Sequence, residues 1–189
     1  MSKVSVVIAT YNRFSFLLST IKSIQEQTVK PHEIIVVNDK STQPEYYTHS
    51  FKGVKIIHLP HNSRQVLGYP SPGYVRNQGI KLASGDYVAF CDDDDIWFPQ
   101  KLELQLAHMK KLNCKMSCTE GLIGNGPFIE GTPYKKYNSE HCYDTLVKIY
   151  KRAKVVLKTF PPVFDLKLIQ IHNIIICSSV IIDLSLIHI

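Results

Sequence analysis

The sequence has no apolar run long enough to cross a bilayer; the longest near the C-terminus, such as IIICSSVIID, are short and broken by Ser and Asp. A membrane-spanning anchor is therefore not expected. Nor is a leader expected in the opening residues, because MSKVSVVIATYNR passes from one Lys through a short apolar run straight into polar residues without a small-residue cleavage pattern. That opening reads as a buried strand. There is no internal repeat and no low-complexity tract. Cysteine is sparse and odd in number: Cys91, Cys114, Cys118, Cys142 and Cys177 are scattered and argue for reduced thiols in a cytosolic compartment. The grouping Cys114-x3-Cys118 with His141-Cys142 fits zinc spacing poorly, so core or surface thiols are expected. A Gly-rich phosphate loop is missing from the first half, and no Glu-Asp pair occurs anywhere.

What is present is an ordinary soluble composition. The chain has 189 residues, 44% of them hydrophobic and 20% charged, which suits one domain with a sizeable core. The net charge is +6, and the basic excess lies late, in Lys135, Lys136, Lys148, Lys151, Arg152, Lys154 and Lys158. Such a run is a solvated helix face or a weak attractor of phosphates and anionic lipid headgroups, which leaves peripheral association with the cytoplasmic face of a membrane open. No nucleic-acid partner is expected.

Along the chain, β-branched apolar runs at Val4 to Ile8, Glu33 to Asn38, Val54 to Leu59 and Tyr87 to Cys91 read as buried strands. Phe14, Leu17, Ile21 and Ile24 recur at helical spacing behind a candidate cap at Asn12. Tyr74 to Ala83 reads as a helix ended by Ser84-Gly85, and Pro99 suits the first turn of a helix carrying Leu102, Leu106 and Met109. KMSCTE and HNIIICSSVIID read as later strands. Strands alternating with helices imply βαβ units and a mainly parallel sheet covered on both faces.

In such a sheet ligands bind beyond the carboxyl ends of the strands. Three polar groups fall there: Thr10-Tyr11-Asn12-Arg13, Asn38-Asp39, and the run Asp92-Asp93-Asp94-Asp95. Four adjacent carboxylates repel, and need water, a helix N-terminus or a cation to offset that cost. One or two would suffice as a helix cap, so four point to a hard divalent ion, Mg²⁺ or Mn²⁺, that also holds a diphosphate.

Taken together, VSVVIATYNR, EIIVVNDKST and YVRNQGIKLASGDYVAFCDDDDIWFPQKL resemble the donor-binding part of glycosyltransferase family 2, strongly to about Met109 and faintly beyond. The resemblance implies a GT-A, Rossmann-like α/β fold with a mainly parallel sheet flanked by helices. It implies a metal-dependent transfer of sugar from a nucleoside-diphosphate sugar, expected to be a UDP-sugar, to a glycan, lipid or protein hydroxyl with inversion. Asp92-Asp93-Asp94 resembles the D-x-D motif, with Asp94 the metal ligand, Asp92 a second candidate, and Asp92 or Asp93 facing the ribose or the metal's waters. Asp95 would follow as a cap. Thr10, Tyr11 and Arg13 resemble residues around the base and phosphates, Asp39 the acid that pairs with the base's ring N–H, and Arg76 a basic residue near the donor pocket.

Two departures accompany the likeness. Lys40 stands where the family commonly has Gly, which puts the turn geometry in question because that position often needs positive φ. The family's base lies in a Glu-Asp-type motif after a strand resembling HNIIICSSVIID, and neither Asp165 nor Asp183 matches it. The expected organisation is a donor-binding half at 1–112 and an incomplete acceptor-side half at 113–189 within a single domain, truncated at the C-terminal end. A nucleotide-sugar-binding module without transfer activity is the second reading. A D-x-D phosphohydrolase is a third, disfavoured because such enzymes place their nucleophile after the first strand, which here ends in Ala9-Thr10-Tyr11.

Overall fold

The structure, a computed structural model, describes residues 2–126, 128–137, 139–158, 170–171 and 175–187. Its residues group into two compact units, one formed by Met1–Cys118 with Cys177–Ile189 and the other by Thr119–Ile176. The packing unit does not end at 112: it runs on to Cys118 and takes back Cys177–Ile189.

The first unit is built on a six-stranded sheet: β1 (Val4–Thr10), β2 (Glu33–Asn38), β3 (Lys55–His58), β4 (Tyr87–Asp92), β5 (Met116–Ser117) and β8 (Ile181–Asp183). The order is β3-β2-β1-β4-β8-β5, with β3, β2, β1 and β4 parallel and β8 antiparallel to both of its neighbours. Successive side chains of β1 enter different layers, since Val4, Val6 and Ile8 pack in one core cluster and Val7 in the other, all fully or almost fully buried. Two-sided burial is why the strand reads as a continuous apolar run. One layer is α1 (Phe14–Gln25) with α5 (Lys101–Leu112), through Leu17, Ile21, Ile24, Leu102 and Met109. The opposite layer is α4 (Pro72–Ile80), through Val75 and Ile80. Short helices α2 (Glu45–Thr48) and α3 (Ser63–Leu67) complete the connections.

Several boundaries differ from the sequence reading. Asn12 does not cap α1: it adopts φ +54°, and its side-chain Oδ1 accepts from the Thr42 N–H at 2.7 Å instead. The open amides at the start of α1 are met from α2 and the connection before it, with the Arg13 N–H donating to the Tyr46 hydroxyl (3.1 Å) and the Phe14 N–H to Gln43 Oε1 (3.1 Å). Pro99 sits just ahead of α5, where its carbonyl accepts from the Thr28 N–H at 2.8 Å. Within HNIIICSSVIID, residues 172–174 lie outside the described residues; Cys177–Ser179 form a 3₁₀ turn before β8. The turn is fixed by bonds to its carbonyls, from Trp97 Nε1 to Ser178 (3.0 Å) and from Gln105 Nε2 to Ser179 (2.9 Å).

In the second unit, β6 (Gly121–Ile123) pairs antiparallel with β7 (Lys135–Tyr137), and α6 (Ser139–Arg152) buries Leu146 and Tyr150. Lys135, Lys136, Lys148, Lys151, Arg152, Lys154 and Lys158 are all exposed, as a solvated basic face requires. Among the described residues no helix is long and apolar enough to cross a membrane.

Helix α4 approaches the sheet closely at Gly79, where an added Cβ would lie 2.6 Å from Val7 Cγ1 and 3.1 Å from Val37 Cγ2. Gly79→Ala is therefore expected to destabilise the chain by about 1–3 kcal/mol through overpacking, read as a lower urea midpoint with unchanged slope.

Candidate functional site

The chain leaves β1 toward β2 and β3 on one side and reaches β4 on the other, so the sheet's topological switch lies between β1 and β4. Register brings the strand ends level there, with Thr10 opposite Asn38 and Ala9 opposite Asp92. A cleft of ≈ 590 Å³ opens at this edge. Thr10, Tyr11, Arg13, Asp39, Arg76 and Asp92 through Asp94 all line it. The sequence candidates thus share one crevice, while Asp95 stands outside the lining.

The acidic run is held by polar side chains from two other elements. From α1 and the turn that follows it, the Thr20 hydroxyl donates to the Asp95 carbonyl (2.9 Å), Ser23 Oγ accepts from the Trp97 N–H (3.2 Å), and Gln27 Nε2, just past the helix, donates to the Phe98 carbonyl (2.8 Å). From the 3₁₀ turn, Ser178 Oγ accepts from the Asp92 N–H at 2.8 Å. The residue preceding α5 is Gln100, so Asp95 does not cap that helix; its carboxyl takes a hydrogen bond from Ser178. Burial still pushes Asp95 above the usual carboxylate range, with the Asp92 and Asp94 charges adding to the rise.

Asp93 is buried and lifted in the same way; hydrogen bonds from the Thr10 hydroxyl and the Tyr11 N–H, together with the Arg13 charge, offset only part of that rise. Thr10 in turn shares a 2.6 Å hydrogen bond with Tyr46, the hydroxyl that receives the Arg13 N–H. Thr10 therefore anchors the acidic loop, whereas Tyr11 lines the cleft at 48% exposure. The guanidinium of Arg13 pairs with Asp94 and reaches Asp93 at 3.4 Å, and that of Arg76 pairs with Asp92. Arg76 Nε is buried and finds no acceptor among the described residues.

Asp39 is already engaged: one carboxylate oxygen accepts from the Ser63 N–H and the other from the Ser63 hydroxyl, both at 2.6 Å. Each oxygen keeps a second lone pair for a ligand donor. Lys40 does take positive φ, +56°, and its ammonium donates to the Pro60 carbonyl at 2.8 Å, which helps offset a cost of about 1 kcal/mol for a left-handed non-glycine residue. Among the described residues no group of three His, Cys, Asp or Glu side chains is arranged to hold a metal by itself. The donor set nonetheless fits Mg²⁺ or Mn²⁺, which are held by one or two carboxylates plus substrate phosphates, because Asp94 and Asp92 offer hard, partly exposed oxygens.

Asn62, Ser63, Arg64 and Ser71 also line the cleft and were not singled out from sequence. The signal for Asn62 to Arg64 was present as a capping box, Asn62-x-x-Gln65, which starts α3, and that for Ser71 as a cap ahead of Pro72 in α4. Ser178 had no local signal, because its partner is 86 residues away. Asp183 is not a cleft residue: its carboxylate accepts from the Ser185 N–H and hydroxyl. Asp165 lies outside the described residues, as do the side chains of His141 and Cys142. Cys91, Cys114, Cys118 and Cys177 are free thiols, and burial raises the pKa of Cys91, Cys118 and Cys177.

Comparison with known proteins gives the arrangement a context. An uncharacterized glycosyltransferase of Rickettsia bellii is 41% identical over 119 residues, 62% of this chain and 16% of that one. The uncharacterized glycosyltransferase YwdF of Bacillus subtilis is 41% identical over 103 residues, 53% of this chain and 36% of its own length. The chain thus spans well under half of these curated relatives. Among solved structures, Staphylococcus aureus TarS in complex with UDP matches with a TM-score of 0.55 and 26% identity, covering 67% of this chain and 38% of that one. TarS in complex with UDP-GlcNAc matches equally well, at TM-score 0.55. The likeness identifies the sheet and its helices as the GT-A fold. The family model described as Glycosyl transferase family 2 matches residues 5–166, and the chain belongs to that family.

Proposed function

We propose that this chain forms the donor-binding core of a metal-dependent glycosyltransferase that takes its sugar from a UDP-sugar and transfers it to an acceptor hydroxyl with inversion. The observation that carries the reading is the charge of the cleft. Three guanidiniums, Arg13, Arg64 and Arg76, face four carboxylates, Asp39 and Asp92 through Asp94, so the lining has no surplus of positive charge to receive a diphosphate. A dianionic diphosphate is repelled unless a divalent cation enters with it. The UDP and UDP-GlcNAc complexes of TarS support the choice of nucleotide.

In this reading Asp94 and Asp92 hold the cation, which when bound supplies charge neutralisation on the departing diphosphate. Arg13 and Arg76 give charge-assisted hydrogen bonds to phosphate oxygens. Asp39 accepts from the ring N–H of the base with the lone pairs that Ser63 leaves free, and Tyr11 covers the base or ribose. Thr10 keeps Asp93 in place against the ribose or the metal's waters. Binding without transfer is the second reading. It is favoured by the fact that every cleft carboxylate has a donor-side role here, and Asp183 is committed to Ser185. Localisation at the cytoplasmic face of a membrane belongs to the same proposal and rests on the exposed basic residues of the second unit.

Calorimetric titration with nucleoside diphosphates and their sugars, with and without Mn²⁺, followed by a donor-hydrolysis assay, separates these readings. Metal-dependent binding with turnover supports transfer, metal-dependent binding alone supports the module, and no binding rejects both. Asp94→Ala is expected to abolish the Mn²⁺-dependent part of UDP binding while leaving the urea midpoint unchanged. Asp39→Asn is expected to weaken UDP more than pyrophosphate; an equal loss would assign Asp39 to holding Ser63 alone. Asp93 carries a raised pKa, so its ionisation disfavours the folded state, and that cost is absent at low pH and grows as pH rises through the raised value. Asp93→Asn is accordingly expected to raise the urea midpoint at pH 7, with the gain disappearing near pH 4, while UDP affinity falls.

A further inference from the structure

The arginines of the cleft are spent on its carboxylates. Arg13 pairs with Asp94 and approaches Asp93, and Arg76 pairs with Asp92, so two positive charges stand on the oxygens that the donor reading assigns to the cation. Phosphate oxygens want those same guanidiniums. Arg76 in addition carries a buried Nε–H without an acceptor among the described residues, although its side chain is only 18% exposed. A buried donor left unmet is destabilising, so the pairing with Asp92 satisfies Arg76 incompletely. Arg64, which lines the same cleft, makes no ion pair among the described residues and supplies an internal contrast.

We infer that Arg13 and Arg76 are counter-ion place-holders: in the ligand-free chain they neutralise Asp94 and Asp92, and on donor binding they release these carboxylates to the cation and turn to the diphosphate. This rests on the metal-assisted donor reading. It has a consequence that donor contacts alone do not carry. Each arginine opposes the cation when it arrives alone and favours it when it arrives with diphosphate, so metal and nucleotide bind cooperatively through the exchange of partners. Four crowded aspartates are thereby kept from repelling one another, and from retaining stray divalent ions, while the cleft is empty of nucleotide.

The test measures Mn²⁺ alone, by the loss of its free-ion electron paramagnetic resonance signal, and UDP in the presence of Mn²⁺, by calorimetry. The full chain is used as wild type, Arg13→Gln, Arg76→Gln and Arg64→Gln, each checked for folding by circular dichroism and urea midpoint. Arg13→Gln and Arg76→Gln are expected to bind Mn²⁺ alone about two- to fivefold tighter, the range of an exposed to half-exposed ion pair, with Arg64→Gln unchanged. The same two variants are expected to bind UDP with Mn²⁺ about tenfold or more weaker, as loss of a charged hydrogen bond dictates. Should Arg76→Gln fail to fold, Arg13, whose side chain is 52% exposed, carries the test by itself. Unchanged or weaker Mn²⁺ binding in Arg13→Gln, with UDP binding still Mn²⁺-dependent, overturns the inference and leaves the donor reading standing. Equal tightening in Arg64→Gln also overturns it, because the effect would then be the general field of the cleft. UDP binding by the wild type that ignores Mn²⁺ overturns the donor reading and the inference together.

Discussion

Everything in the candidate site depends on the register of β1 between β2 and β4. Val6, Val7 and Ile8 are inaccessible to solvent on both faces of the sheet, and a one-residue slip would exchange the two faces of the strand. Because that register is fixed by burial, the three strands end at one level, and Thr10, Asn38 and Asp92 come to the same edge without any direct requirement on their own side chains. Helices α1 and α4 then leave on opposite faces and open the crevice between them.

Polar chemistry is added to that edge by residues that are themselves buried. Thr20 and Ser23 of α1 and Gln27 just beyond it hold the acidic loop and the residues after it, and Ser178 supports the loop from the other side. Buried hydroxyls and amides of this kind are tolerated only when fully bonded, which ties the positions of the aspartates to the packing of the core. The cost of charging Asp93 and Asp95, which burial raises first and the neighbouring carboxylates raise further, is thus borne by a rigid frame, with Arg13 and Arg76 paired to the run.

The parallel strands were legible because two-sided burial writes them as unbroken β-branched runs, and α1 because its one buried stripe repeats at helical spacing. Where the sequence misled, a distant partner had taken over a local role. Asn12 looked like a cap, but Gln43 and Tyr46 meet those amides and Asn12 braces Thr42. Asp95 looked like a cap, but Ser178 claims it. Short helices such as α3, one turn long, carry too few residues for a period and showed only through their capping box. The residues lining the cleft were found from motif order, which records strand ends; the ion pairs of Arg13 and Arg76 could not be read, since their partners lie 81 and 16 residues away.

The support given by Ser178 also sets an order of events. Residues 2–118 contain the four parallel strands and both helical layers, yet the Asp92 N–H and the Trp97 indole find their acceptors only in a segment that leaves the ribosome after the whole of Thr119–Ile176. Closing a loop of that length adds little free energy cost, but it must wait for synthesis. A nascent chain would therefore hold the four parallel strands, still without β8 and with β5 unpaired, beside an unbraced acidic loop, and the bracing of that loop would arrive in the same late step that adds β8 to the sheet.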